Sequence, residues 1–284
     1  MKRLTTSLLK CIKKSIGISL LSILLLTPFA HAANIIFDGD GVLFDTRSFH
    51  AAKEIGLLNL MAYGKNPSPL FMDFLNTIEP RHEDTPVAYD TQGNLLPQLF
   101  CDWLTGAKTP AQILNQVNSA IDENTVLTKR EKNVIRGMNE FIFGDPEHYI
   151  HTKQLIRDGK KFVKRCKKQG HKVFILSNWD AASFPALQKR FSKFLDLFDG
   201  VVISGDVGLM KPDPAIYSAI VEKYNLDPAE TAFVDDRPEN VEAAKVHGIH
   251  GVLCDKNNFK EVRRNILLWE KTLEDAPATI AAAA

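Results

Sequence analysis

Cysteine is scarce in this sequence, four residues in 284, and none stands in a Cys-x-x-Cys spacing. That excludes a dense disulfide framework and a cysteine-based zinc site. Cys11 lies in the N-terminal stretch. Cys101, Cys166 and Cys254 default to buried thiols, with one disulfide left open for an oxidising compartment. Basic tracts are missing beyond the N-terminus. Residues 1–32 hold five basic groups and no acid, which leaves 30 basic against 34 acidic residues in the remainder. A mildly acidic body of this kind is not a nucleic-acid scaffold. Repeats and low-complexity segments are absent, and the apolar run Ile16 to Leu26 is too short to span a bilayer comfortably.

What the N-terminus does have is a basic stretch ending at Lys14, that apolar run, and then Ala30-His31-Ala32, a small-x-small pattern. Together they predict a cleavable signal peptide over residues 1–32, cut near Ala32-Ala33, and a secreted or periplasmic protein that meets the membrane only during export. There is no twin arginine and no cysteine at the cut, which disfavours twin-arginine export and a lipid anchor.

Beyond the leader, short β-branched runs alternate with helical patterns. Strands are predicted at 34–37, 172–176, 200–203, 231–234 and 250–253. Continuous apolar strands separated by helices imply an α/β fold, a Rossmann-like parallel sheet covered on both faces. Helices are predicted over 180–193, 212–224, 237–246 and 257–270. Residues 48–150 break the alternation with helical patterns at 49–63, 67–78, 109–121 and 127–143, which reads as a mostly helical insertion over the sheet. The segments 33–47 and 151–275 then form the core, and the Ala-rich residues 276–284 a flexible tail.

Four polar clusters fall where these strands end, the edge at which open α/β sheets bind ligands. In Phe37-Asp38-Gly39-Asp40-Gly41, two carboxylates stand close together; one can act as nucleophile while the other moves protons, although Asp and Gly also make plain turns. Ser177-Asn178 can hold an anion or cap a helix. Lys211 sits between a glycine and two prolines, where it can neutralise a phosphoryl group or stand as a surface lysine. Asp235-Asp236 suits a hard cation, or simply a helix start.

In this order and spacing the four clusters resemble the haloacid dehalogenase (HAD) superfamily of hydrolases over roughly residues 34–256. The resemblance implies a HAD core with residues 48–150 as its helical cap, a Mg²⁺ cofactor, and a small phosphate ester as substrate. It assigns Asp38 as nucleophile and metal ligand. Asp40 becomes the general acid/base, with its backbone carbonyl on the metal. Ser177, Asn178 and Lys211 fall in the phosphoryl-binding segments, Asp236 is a direct metal ligand and Asp235 a water-mediated or more distant one. The resemblance thus implies a phosphatase that works through an aspartyl-phosphate.

Dehalogenases of the family lack an acid at the position of Asp40, so its presence favours phosphoryl transfer. A sugar-phosphate mutase is the alternative, because His50 matches a hinge histidine of such enzymes. An inactive binding module of the same fold is a third reading. Arg47 and Trp179 adjoin the clusters and are candidates for substrate contact. Arg81 and His82 are further guesses in a polar loop of the insertion.

Overall fold

A strand buried on both faces needs no polar alternation, and β1 (Asn34–Phe37) is one: Ile35, Ile36 and Phe37 are all fully buried. The computed structural model describes residues 32–90 and 93–275. The leader over 1–32, Ala32 aside, and the tail over 276–284 lie outside the described residues.

β1 turns at Gly41 into β2 (Phe44–Thr46), and the insertion follows. The sequence pattern predicts one helix over 49–63; two form, α1 (Ser48–Ile55) and α2 (Leu57–Tyr63). Gly56 splits them: at φ 106° it takes a left-handed conformation that ends α1, its N–H reaching the carbonyls of Ala52 and Lys53. α3 (Pro67–Ile78) begins where the Asn66 side chain accepts from the Ser68 N–H. α4 (Gln98–Thr105) has no counterpart among the predicted helices. α5 (Pro110–Glu123) and α6 (Lys129–Phe143) each open with a reciprocal capping box, Thr109 with Gln112 and Thr128 with Glu131. α7 (Pro146–His151) closes the insertion. These helices share their own core around Phe71, Leu99, Trp103, Ile113 and Ile135.

The chain returns through β3 (Lys153–Leu155), which pairs antiparallel with β2. The layer order then runs α8 (Arg157–Lys168), β4 (Lys172–Ser177), α9 (Phe184–Leu195), β5 (Gly200–Ile203), α10 (Ser204–Val207), α11 (Pro214–Tyr224), β6 (Thr231–Asp235), α12 (Pro238–Val246), β7 (His250–Leu253) and α13 (Phe259–Asp275). The five long-range strands form one parallel sheet in the order β5-β4-β1-β6-β7. Its two faces follow the period of two: Ile35 and Phe37 pack with α8, α9 and α13, while Ile36 packs with α11. The predicted α/β architecture, a parallel sheet with helices on both faces and a helical insertion, is therefore the observed one.

Several predicted boundaries move. The helix expected from Asp180 begins at Phe184, because the Asp180 carboxylate accepts from the Ala182 and Ser183 N–H groups and closes a separate turn first. The Lys211 segment does not follow β5 directly, since α10 intervenes. Cys101, Cys166 and Cys254 are free and buried, and burial pushes the thiols of Cys166 and Cys254 up to about 12. Among the described residues no helix is long and apolar enough to cross a membrane.

Candidate active site

β1 and β6 are adjacent and parallel, so the residues that follow them emerge side by side at one sheet edge. Asp38 leaves β1 with its N–H on the Val234 carbonyl at 2.9 Å, and Asp235 ends β6. Lys211 lies between the two carboxylates: its Nζ donates to Asp38 Oδ1 and to Asp235 Oδ2, each at 2.7 Å. The lysine is 1% exposed and Asp235 wholly buried. Burial pulls the Lys211 ammonium down, but Asp235 and Asp38 outweigh it and hold the pKa above the ordinary lysine value. Asn178 fixes the lysine's backbone from both sides. Its Oδ1 accepts from the Lys211 N–H at 2.7 Å, and its Nδ2 donates to the Lys211 carbonyl at 2.9 Å. Asn178, placed with the phosphoryl contacts from sequence, thus uses its amide on Lys211.

Asp235 is engaged by the chain in further directions. It accepts from the Arg237 N–H at 2.8 Å and from Asn240 Nδ2 at 3.1 Å. Asp236 is instead partly exposed to the cavity. It lies against the turn after β1, where a Cβ on Gly41 would come within 2.5 Å of Asp236 Oδ2; Gly41 also has φ +87°. The absent side chain is what lets the two segments meet. Gly39 has the same relation to Ser177, whose Oγ would lie 2.7 Å from an added Cβ.

Oxygens of Asp38, Asp235 and Asp236 lie within 4.8 Å of one another, with Lys211 as the cation among them. Desolvation drives the Asp38 carboxyl up to about 7, with Lys211 opposing and the other two acids reinforcing. Burial first and Asp235 second push Asp236 to about 6. A crowded, desolvated, oxygen-only donor set of this charge fits a small hard divalent cation, which would relieve the repulsion.

Asp40 stands apart from that cluster. Its Oδ2 accepts from Lys153 Nζ at 2.9 Å, and the same ammonium donates to Thr46 Oγ1 at 2.9 Å. Lys153 is 1% exposed, while the Asp40 side chain is 49% exposed. Burial lowers the Lys153 pKa, but Asp40 and then Tyr149 more than compensate and raise it overall. The ammonium also lies 4.8 Å from the Tyr149 ring centroid and 5.3 Å from that of Trp179. Sequence reasoning missed Lys153. No local sequence signal marks it, because β3 meets the strand beyond Asp40 only in the fold.

A cavity of about 350 Å³ joins these groups to the insertion. Asp38, Asp40, Ser177, Lys211 and Asp236 line its floor, and Trp179 lines its side with the indole N–H committed to Ser183 Oγ at 2.8 Å. Arg47 and His50 do not line it. The Arg47 guanidinium binds the carbonyls of His151 and Thr152, and the His50 ring lies 6.1 Å from that of His151, at the junction of insertion and core. Arg81 ties together the carbonyls of Thr85, Pro86 and Leu96 within the insertion, and His82 is exposed there.

Comparison with known proteins places this geometry. The chain is 37% identical over 90 residues to a sesquiterpene phosphatase of Aspergillus oryzae, covering 32% of this chain and 45% of the relative. It is 28% identical over 125 residues to a phosphoserine phosphatase of Thermus thermophilus, covering 43% and 47%. The matched segment thus spans about half the length of these curated relatives. A HAD family enzyme from Bacteroides thetaiotaomicron, solved as its magnesium complex, shares the fold at TM-score 0.52 and 18% identity, covering 82% of this chain and 98% of that one. The family model described as haloacid dehalogenase-like hydrolase matches residues 33–248, the span that carries four of the five sheet strands (β7 lies just beyond it), the insertion and every residue of the carboxylate–lysine cluster; the chain belongs to that family.

Proposed function

We propose that this hydrolase is a Mg²⁺-dependent phosphatase that transfers the phosphoryl group of a small monoester to Asp38 and then to water. The observation that carries the proposal is the pairing of Asp38 with Lys211 at 2.7 Å, inside a cavity that also holds Asp236. The names of the two phosphatase relatives, and the magnesium bound by the structural neighbour, support it. When bound, the cation supplies positive charge to the phosphoryl oxygens.

The chain's own residues do the rest. Asp38 attacks phosphorus, the bond from phosphorus to the ester oxygen breaks, and Asp40 delivers a proton to that oxygen. Water then attacks the phosphorus of the aspartyl-phosphate as Asp40 takes its proton, which returns the Asp38 carboxylate and releases phosphate. Lys211 and Ser177 receive the phosphoryl oxygens, and Lys211 also lowers the repulsion between the carboxylate and the incoming dianion. Lys153 positions Asp40 for both proton transfers, its Nζ lying 2.9 Å from Asp40 Oδ2.

The signal-like N-terminus supports export as part of the same proposal, testable by N-terminal sequencing of secreted material: a chain beginning at Ala33 is expected, and an intact Met1 would contradict it. The activity is tested by hydrolysis of p-nitrophenyl phosphate with and without Mg²⁺. Turnover that depends on Mg²⁺ and is lost in Asp38→Asn is expected. Equal turnover in Asp38→Asn would overturn the covalent route.

A further inference from the structure

The cavity has two chemically different halves. The catalytic carboxylates, Ser177 and Lys211 lie on the core side, and the insertion's polar lining is Tyr89, Asp90 and Tyr149. Facing the core side, the insertion also contributes Met72, Ala88, Leu96, Phe100, Trp103 and Leu104. Ring contacts make the wall continuous: Phe100 to Trp103 at 5.8 Å between centroids, Trp103 to Tyr149 at 6.2 Å, and Tyr149 to Trp179 at 6.4 Å. These rings belong to a packed core and not to a loose loop, so the wall is formed before any ligand arrives.

Charge around the cavity points the same way. Among the described residues that line it, Lys211 and Arg237 are the only lysine or arginine. Lys211 is committed to Asp38 and Asp235. Arg237 donates to the Asp90 carbonyl and lies 3.8 Å from Glu239. The other charged lining groups near it, Asp90 and Glu239, are acids. A substrate with a second anionic group, such as a bisphosphate, would set that group against aromatic rings or beside Asp90 and Glu239, where Arg237, already on the Asp90 carbonyl and near Glu239, is the one further cation among the described lining residues.

Resting on the phosphatase reading, we infer that the substrate is a monoester with one phosphoryl group and an uncharged, apolar leaving group, seated against the Phe100–Trp103 wall. The phosphoryl group goes to the polar floor, and the carbon skeleton takes the place of water along the rings. The cavity volume lies at the small end of ligand pockets, which sets a compact skeleton such as a short alkyl chain or one fused ring system.

Alkyl phosphates test this without the confusion of leaving-group acidity, because ethyl and hexyl phosphate release alcohols of similar basicity. Each methylene that enters an apolar pocket raises kcat/KM about fourfold. Hexyl phosphate should therefore exceed ethyl phosphate on the order of a hundredfold, and glycerol 3-phosphate should fall in the range of ethyl phosphate or below. Phe100→Ser should lower the hexyl-to-ethyl ratio about tenfold. If p-nitrophenyl phosphate is turned over but the wild-type ratio stays within about threefold, the inference is overturned while the phosphatase reading stands. If no ester is turned over, that reading fails. Binding of hexyl and ethyl phosphate to the wild-type protein with Mg²⁺, followed by tryptophan fluorescence, then decides the apolar wall: tighter hexyl binding supports it, and equal binding refutes it.

Discussion

Replacing Lys211 by Met keeps most of the side chain's volume and removes its charge. The consequence can be worked from the site. The ammonium is 1% exposed and bonds two buried carboxylates at 2.7 Å each, with Asp236 close by. Removing one partner of a buried ion pair leaves an uncompensated charge and destabilises by about 3–5 kcal/mol. For a domain of this size that lowers Tm by roughly 10 °C. The deficit should depend on pH in a way that lost packing does not. Without Lys211, which holds both down, the Asp38 and Asp236 carboxyls rise further above their ordinary values in the folded state. The folded protein then binds more protons than the unfolded chain, and stability falls as pH rises through the interval between those values. Thermal unfolding of parent and variant in chelator should therefore show a larger gap at pH 8 than at pH 5, and Mg²⁺ should narrow it at pH 8. A variant with the parental Tm at pH 8, or a gap independent of pH, would refute the assignment of Lys211 as the charge that holds these carboxylates together.

Three other outcomes are expected. In the metal-free parent, Asp38 near 7 and Asp236 near 6 stand above the ordinary carboxyl value, so stability should decline as pH rises from about 4 to 7; Mg²⁺ should raise Tm more at pH 8 than at pH 5.5, and the reverse order would contradict these shifts. Gly41→Ala forces an alanine to φ +87° and sets its Cβ 2.5 Å from Asp236 Oδ2; a loss of about 1–2 kcal/mol in chemical denaturation is expected, with a weaker Mg²⁺ titration, and an unchanged titration would place the metal elsewhere. Lys153→Met leaves Asp40 half in solvent, where water can replace the lost partner, so the stability loss should be smaller than for Lys211→Met; kcat should fall on the order of tenfold with a shifted pH–rate profile, whereas a parental profile would remove Lys153 from the positioning of Asp40.

The parts of the fold that were legible are those specified by local chemistry. Asn34–Phe37, Gly200–Ile203 and His250–Leu253 are short, mainly apolar runs in a parallel sheet, buried through the central β1 and partly so in the edge strands, and their predicted and observed bounds coincide. The helix at Pro67–Ile78 was equally plain, with Asn66 and Pro67 at its start. What escaped depends on distant partners. β2 and β3 have three residues each, too few for a period, and exist because Phe44 and Leu155 meet across the whole insertion. Gly56 could have warned of the break between α1 and α2, but a glycine inside a helical pattern is often tolerated. In α8 the buried Gly159, Phe162, Val163 and Cys166 recur at helical spacing, so that signal was present and unread.

The site divides the same way. Asp38, Lys211, Asp235 and Asp236 were visible as polar clusters, and the structure brings the three carboxylates' oxygens within 4.8 Å of one another, with Lys211 bonded to Asp38 and Asp235. Arg47 was named because it adjoins the first cluster and His50 because it matches a hinge histidine, but β2 carries both to the junction of insertion and core. Lys153 gave no local sign, because its environment of Asp40, Thr46, Tyr149 and Trp179 is assembled from four separate segments.

Capture of a phosphoryl group by Asp38 is tested most directly by quenching the reaction of p-nitrophenyl phosphate and Mg²⁺ in acid within a single turnover and mapping the protein by peptide mass. One added phosphoryl group on the peptide that contains Asp38, absent from the Asp38→Asn protein, is the predicted result. Phosphate release in a full burst with that peptide unmodified, or the label on another residue, would contradict it.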